Sequence, residues 1–195
     1  MTLTKKTYND GMKQFLCITG GIACGKTTVL NYLSKFYEIN NADDICHEMT
    51  PFCTGDIRRL FGEEALTNGE VDRKKLGNIV FNDEKKRKQL EEFLHPIIKD
   101  NIEARLCLTV GPVALECPLL FEAGWEEDYR PIIVVTCSEN VQLERLMKRN
   151  NLSEKDAKKR IAAQIPLKEK TERADFVLDT TDGIDTESLE RFINE

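Results

Sequence analysis

Short apolar runs alternate with stretches of helical spacing along most of this 195-residue chain. Phe15-Leu16-Cys17-Ile18-Thr19 is an apolar run that stops at two glycines, which predicts a buried parallel strand. Val29, Leu30 and Leu33 then fall on one helical face, predicting a helix over about 26–35, and Tyr37-Glu38-Ile39-Asn40 predicts a short strand. The polar Asn41-Ala42-Asp43-Asp44 leads into a helical pattern. From 51 to 82 the spacing predicts short helical pieces punctuated by Gly55, Gly62, Gly69 and Gly77. Asn82-Asp83 caps a long amphipathic pattern through Leu90, Phe93, Leu94, Ile97, Ile98 and Ile102, in which Pro96 is expected to kink or break the helix. Residues 113–117 and 131–136 predict two more buried strands. Ser138 opens a helix to about residue 150, and Ser153-x-x-Asp156 reads as a capping box for the next, to about 165. Residues 176–179 predict a last strand and 186–194 a terminal helix. Strands alternating with helices imply an α/β sheet, largely parallel and covered on both faces.

Composition narrows the class. With 41% hydrophobic and 32% charged residues the chain can bury a real core, as one domain over 14–195 with room for an inserted subdomain. A net charge of −6 argues against a general nucleic-acid or membrane binder. Seven scattered cysteines contain no Cys-x-x-Cys pair, and only His47 and His95 are available to complete a zinc site, so buried free thiols are expected. Residues 1–13 lack an apolar signal core, and no run approaches the ~20 apolar residues that span a bilayer. The expected location is the cytoplasm.

Gly20-Gly21-Ile22-Ala23-Cys24-Gly25-Lys26-Thr27 matches G-x-x-x-x-G-K-[ST] in full, straight after a strand and opening a helix. That spacing curls the chain so that successive backbone N–H groups converge on a phosphate at the positive end of the helix. Gly20 and Gly25 allow backbone angles and close approach that a Cβ would hinder. Lys26 would reach the β- and γ-phosphates of ATP, and the Thr27 hydroxyl would ligate Mg²⁺. The candidate ATP-binding set is therefore Gly20, Gly21, Ala23, Cys24, Gly25, Lys26, Thr27 and Thr28. Ala23 stands where such loops often carry glycine. A GTPase would need N-K-x-D, which is absent, and a motor ATPase usually needs more chain. Small size and an arginine-bearing C-terminal third favour a metabolite kinase.

From Phe15 to Ile193 the order of motifs resembles the dephospho-CoA kinase family. The matching segments are Thr19-Gly20-Gly21-Ile22, Asn41-Ala42-Asp43, Phe61-Gly62, Leu94-His95-Pro96-Ile97, Pro118-Leu119-Leu120-Phe121-Glu122, Arg145-Leu146-Met147-x-Arg149, and Arg160-Ile161-Ala162-Ala163-Gln164 with Ala174-Asp175 beyond. The resemblance implies transfer of the ATP γ-phosphate to the ribose 3′-hydroxyl of dephospho-CoA. It departs at three places: Asn41 replaces the first acid of Asp-Ala-Asp, Thr180 replaces an asparagine after the last strand, and Ala23-Cys24 replaces Gly-Ser.

The resemblance assigns the role of base to Asp43, where a carboxylate would orient the acceptor hydroxyl and take its proton. A helix N-cap is the competing role for Asp43, and Asp44 is the alternative acid. Arg145 and Arg149 share one helix face, and with Arg160 they suit a lid that meets the triphosphate, although nearby lysines equally suit a solvated basic face. Gln164 and Lys170 match family positions or finish a helix. His95 is placed by the resemblance along the acceptor site as a contact, not a catalyst. Glu116, at a strand end, fits loosely the position that holds Mg²⁺ through water.

The expectation is a three-layer P-loop nucleotide kinase fold with a central, mostly parallel sheet. A helical acceptor-binding region spans 44–108 and a helical lid 140–168. Asp43, Lys26 and Arg149 carry catalysis, Asp43 and His95 meet the acceptor, and Thr27 meets the metal. ATP and dephospho-CoA are the expected partners, with no nucleic acid and no membrane. The alternatives are a P-loop kinase for a nucleoside monophosphate or similar hydroxyl substrate, and a slow ATP-binding regulatory switch.

Overall fold

The computed structural model describes residues 13–81 and 83–195, so the readings made for 1–12 and for Asn82 lie outside the described residues. In chain order the elements are β1 (Phe15–Gly20), α1 (Lys26–Leu33), β2 (Glu38–Asn41), α2 (Ala42–Met49), α3 (Thr54–Phe61), β3 (Leu66–Thr67), β4 (Glu70–Val71), α4 (Arg73–Phe81) and α5 (Glu84–Leu108). They continue with β5 (Val113–Glu116), β6 (Ile132–Thr136), α6 (Glu139–Asn150), α7 (Glu154–Ala162), α8 (Leu167–Glu172), β7 (Phe176–Asp179) and α9 (Thr186–Asn194). The chain divides into two compact units: residues 13–41 with Thr109–Glu195, and Ala42–Leu108.

The first unit holds a five-stranded sheet in the order β2-β5-β1-β6-β7, with every pairing parallel. β1 lies in the middle, with Gly20 opposite Val135 on β6 and Ile18 opposite Glu116 on β5. Residues 16–20 of β1 and 132–135 of β6 are buried in succession. Neighbouring side chains on a strand point to opposite faces, so burial of both sets means that both faces are covered. Val29, Leu30 and Leu33 of α1 and Leu189 and Ile193 of α9 join Leu16, Ile18, Ile133, Val135 and Leu178 in one core. Each such side chain fully withdrawn from water contributes about 1.5–3 kcal/mol. The parallel directions bring the carboxyl ends of all five strands to one edge, where ligands of open α/β sheets bind.

In the second unit α5 packs against both α2 and α4, with Ile45, Ile57, Leu76, Leu94, Ile98 and Ile102 buried. Asp83 caps α5 as expected, its Oδ1 accepting from the N–H groups of Lys85 (3.0 Å) and Lys86 (3.1 Å). The expected break at Pro96 does not occur: α5 runs 25 residues through it. Proline removes one backbone donor, and burial of Leu94, Ile98 and Ile102 on either side holds the helix together. A second correction concerns 51–82, which is not helical throughout. β3 and β4 form a two-residue hairpin at Asn68-Gly69, whose φ angles of 54° and 83° are those of a type I′ turn. No helix among the described residues is long and apolar enough to cross a membrane.

Candidate active site

The loop between β1 and α1 has the geometry its glycines predict. A Cβ on Gly20 would fall 2.1 Å from the Val135 carbonyl oxygen, and φ there is 140°. Gly25 has φ 90° and leads directly into α1. Ala23 has φ 62°, a left-handed conformation that glycine adopts freely and that costs an alanine about 1–2 kcal/mol. The local departure from the family pattern is thus a residue held under strain inside the loop.

Lys26 folds back over this loop, its Nζ donating to the carbonyls of Gly20 (3.2 Å) and Gly21 (3.0 Å). Burial lowers the Lys26 pKa; Glu116 and the Cys24 thiol work against that shift, while Lys170 and Arg149 reinforce it. Burial thus makes the charged form of Lys26 costly to keep, and neighbouring charge of negative sign favours it.

Residues outside the motif brace it. The Ile22 N–H donates to Gln164 Oε1 at 2.8 Å, and the Ile22 carbonyl accepts from Gln142 Nε2 at 2.9 Å. The buried Thr180 hydroxyl donates to the Cys24 carbonyl at 2.7 Å and accepts from Arg145 Nη1 at 3.1 Å. Arg145 Nη2 completes a fork by donating to the Thr180 carbonyl at 2.8 Å. In a trans peptide the C=O and the following N–H point in opposite directions. Hydrogen bonds to the Ile22 and Cys24 carbonyls therefore fix the directions of the Ala23 and Gly25 N–H groups within the loop.

Two further tethers lie at the same sheet edge. Asn41, at the end of β2, donates from Nδ2 to Glu116 Oε2 at 2.6 Å, across a strand pair that sets the two residues in register. Lys170 is 0% exposed, and its Nζ donates to Glu122 Oε1 at 2.7 Å. The same oxygen accepts from the Ile165 N–H at 3.2 Å.

Of the predicted site residues, Gly20 to Thr28 and Arg145 are brought together in this unit. Arg149 lies one turn after Arg145 on α6 and donates from Nε to Asn150 Oδ1 at 2.9 Å. Its charge acts on Lys26, which places its field at the loop. Ser153 caps α7 by accepting from the Asp156 N–H at 3.2 Å, as the capping box predicts.

Asp43 and His95 belong to the second unit. Asp43 and Asp44 are exposed in the first turn of α2, which starts at Ala42. The N-cap role considered for Asp43 is therefore corrected, because that residue lies inside the helix. Its carboxylate gains instead from the positive end of the helix dipole, worth about 0.3–1 kcal/mol. His95 is half-buried on α5, and burial lowers its pKa, with Glu91 opposing, so the neutral imidazole prevails at physiological pH.

Thr180, Gln142 and the Glu122–Lys170 pair were not legible as site residues from the chain alone. The only signals were the family matches at Glu122, Gln164 and Lys170 and the departure at 180. Their partners lie far away in the chain and meet only after folding.

The dephospho-CoA kinase family model matches residues 14–186. The chain belongs to the dephospho-CoA kinase family. A dephospho-CoA kinase of Staphylococcus aureus is 39% identical over 194 residues, covering 94% of each chain. One from Oceanobacillus iheyensis is 40% identical over 182 residues, covering 89% of this chain and 92% of its own. Among solved structures, dephospho-CoA kinase from Campylobacter jejuni superposes with a TM-score of 0.71 at 30% identity, covering 93% of this chain and 98% of its own. The structure of TT1252 from Thermus thermophilus gives a TM-score of 0.81 at 34% identity, covering 93% and 94%. The five-stranded parallel sheet with its surrounding helices is thus the P-loop kinase fold of this family, and the chain is an ATP-dependent phosphotransferase by membership.

Proposed function

We propose that this chain transfers the γ-phosphoryl group of ATP to the ribose 3′-hydroxyl of dephospho-CoA, giving CoA and ADP. The observation that carries the reading is the braced phosphate loop, with Lys26 poised over it, in a chain that matches the family over residues 14–186. The β- and γ-phosphates settle on the loop N–H groups. Lys26 exchanges the Gly20 and Gly21 carbonyls for phosphate oxygens and follows the charge as it spreads over the transferred group. Arg145 and Arg149 act from the 140–168 lid on the same charge. Asp43 orients the acceptor hydroxyl and takes its proton as the new P–O bond forms in line with the breaking one. The 44–108 region, His95 included, holds the acceptor.

Magnesium fits the residues present. The Thr27 hydroxyl is exposed at the start of α1, and the Glu116 carboxylate is held by Asn41, which gives the hard oxygen donors that this ion takes alongside phosphate and water. When bound, it would neutralise the β- and γ-oxygens and align the leaving group. A cytoplasmic location belongs to the same proposal.

Incubation with MgATP and dephospho-CoA, followed by mass spectrometry and phosphorus NMR, tests the reading. Formation of CoA phosphorylated at the 3′ position is expected. Turnover of AMP without CoA formation would transfer the chain to the nucleoside monophosphate kinases, and ATP binding without turnover of any acceptor would leave a switch.

A further inference from the structure

Two of the seven cysteines meet beneath the phosphate loop, and phosphoryl transfer uses neither thiol. Cys24 lies inside the loop and Cys137 directly follows β6; they are 0% and 6% exposed, with their Sγ atoms 3.5 Å apart. A disulfide brings two sulfurs to about 2.05 Å. Closing the gap therefore takes about 1.5 Å, which side-chain rotation and a small movement of the loop can supply.

We propose that Cys24 and Cys137 form a thiol modification site, at which a small hydroperoxide links them as an intramolecular disulfide that disables ATP binding. The inference rests on the loop being the ATP site, and not on the identity of the acceptor.

The chemistry balances. The Cys137 sulfur, which keeps the residual exposure, attacks the peroxide, breaking its O–O bond to give a sulfenic acid and releasing water or an alcohol. The Cys24 sulfur then attacks the Cys137 sulfur, forming the S–S bond, and the departing hydroxide leaves as water with the Cys24 proton. Two electrons pass from the pair of sulfurs to the O–O bond. Burial and the adjacent Cys137 push the Cys24 thiol up to about 12, with Lys26 opposing, so Cys24 is a poor first nucleophile. It acts as the resolving partner because it is already held in contact with its target.

The consequence follows from how little slack the loop has. Cys24 sits between Ala23 at φ 62° and Gly25 at φ 90°. Its N–H donates to the Gly21 carbonyl at 3.3 Å, and its own carbonyl accepts from Thr180 at 2.7 Å. Even one carbon added at Gly21 would stand 2.8 Å from the Cys24 sulfur. Drawing that sulfur toward Cys137 turns the Cys24 peptide or breaks one of its tethers, and the cradle N–H groups move with it. Losing one or two charge-assisted hydrogen bonds to phosphate in this way weakens binding roughly 100-fold.

The test uses the full chain, reduced and then exposed to hydrogen peroxide, with MgATP binding measured by calorimetry and the cysteines mapped by peptide mass spectrometry. A Cys24–Cys137 cross-link should form, ATP affinity should fall by about 100-fold, and dithiothreitol should restore it. Cys137→Ser and Cys137→Ala should bind ATP as the reduced protein does and keep that affinity after peroxide. The exposed Cys107 reports that oxidant reached the protein in every sample. Oxidation of Cys107 without the cross-link, a cross-linked protein with unchanged ATP affinity, or equal peroxide sensitivity in a Cys137 variant would each overturn the proposal. Failure to make CoA would count against the kinase reading alone, since binding and cross-linking are read without an acceptor.

Discussion

The sheet unit and the helical unit carry their functional side chains in different ways. Around the phosphate loop, Arg145, Gln142, Gln164, Thr180 and Lys170 each hold a named partner across long stretches of sequence, and Lys26 holds the loop's own carbonyls. In the 42–108 unit, Asp43 and Asp44 stand exposed in the first turn of α2. Polyphosphate binding needs many donors converging with little tolerance, a demand that a cross-braced loop at parallel strand ends can meet. Orienting one hydroxyl needs a single carboxylate, which one helix end can supply. The difference teaches that the two kinds of site should fail differently: loss of bracing should alter ATP affinity and stability, and loss of the acid should alter turnover.

The sharpest break in that comparison is expected at Lys26. Lys26→Ala should lower kcat/KM by at least about 10³-fold, near the upper end for losing one preorganised charge, with an unchanged melting curve. Near-normal turnover at saturating MgATP would remove the lysine from the mechanism.

Next in size comes the buried pair. Glu122→Ala strands Lys170 where no water reaches it, at a cost of about 3–5 kcal/mol in denaturant unfolding. Adding Lys170→Met should recover part of that loss. A Glu122→Ala protein as stable as the parent would show that Lys170 finds another partner.

Asp43→Asn should reduce kcat by about 10²-fold while leaving ATP affinity intact, because a loose transition state asks little of the base. Asp44→Asn is its control and should be mild. If Asp43 serves the helix dipole alone, stability should change by about 0.3–1 kcal/mol and kcat should not move. Steady-state kinetics beside thermal melts separate these outcomes, and a crippled Asp44→Asn would reassign the role to that acid.

The smallest effect is expected at Thr180. Thr180→Val keeps the shape but removes the hydroxyl that joins Cys24 to Arg145, and should raise the KM for ATP about 10-fold with a smaller change in kcat. Thr180→Ser should restore it. Equal KM values in all three proteins would show that the bracing is redundant.

The five strands of the sheet, the main helices between them, the phosphate loop, the caps at Asp83 and Ser153, and the family are all legible in the sequence alone. These are local or periodic signals: an apolar run that stops at glycine, a capping side chain two or three residues from its target, a motif within eight residues. Tertiary structure alone decided that α5 survives Pro96, since the compensation comes from side chains packed against other helices. It also decided the short hairpin at Asn68-Gly69, whose strands of two residues are too brief to show a period of two. At the site, structure alone made Thr180, Gln142 and Cys137 neighbours of the loop and Glu122 the partner of Lys170. Each is separated from its partner by tens of residues or more, and parallel strands bring their carboxyl ends to one edge only when the whole sheet has formed.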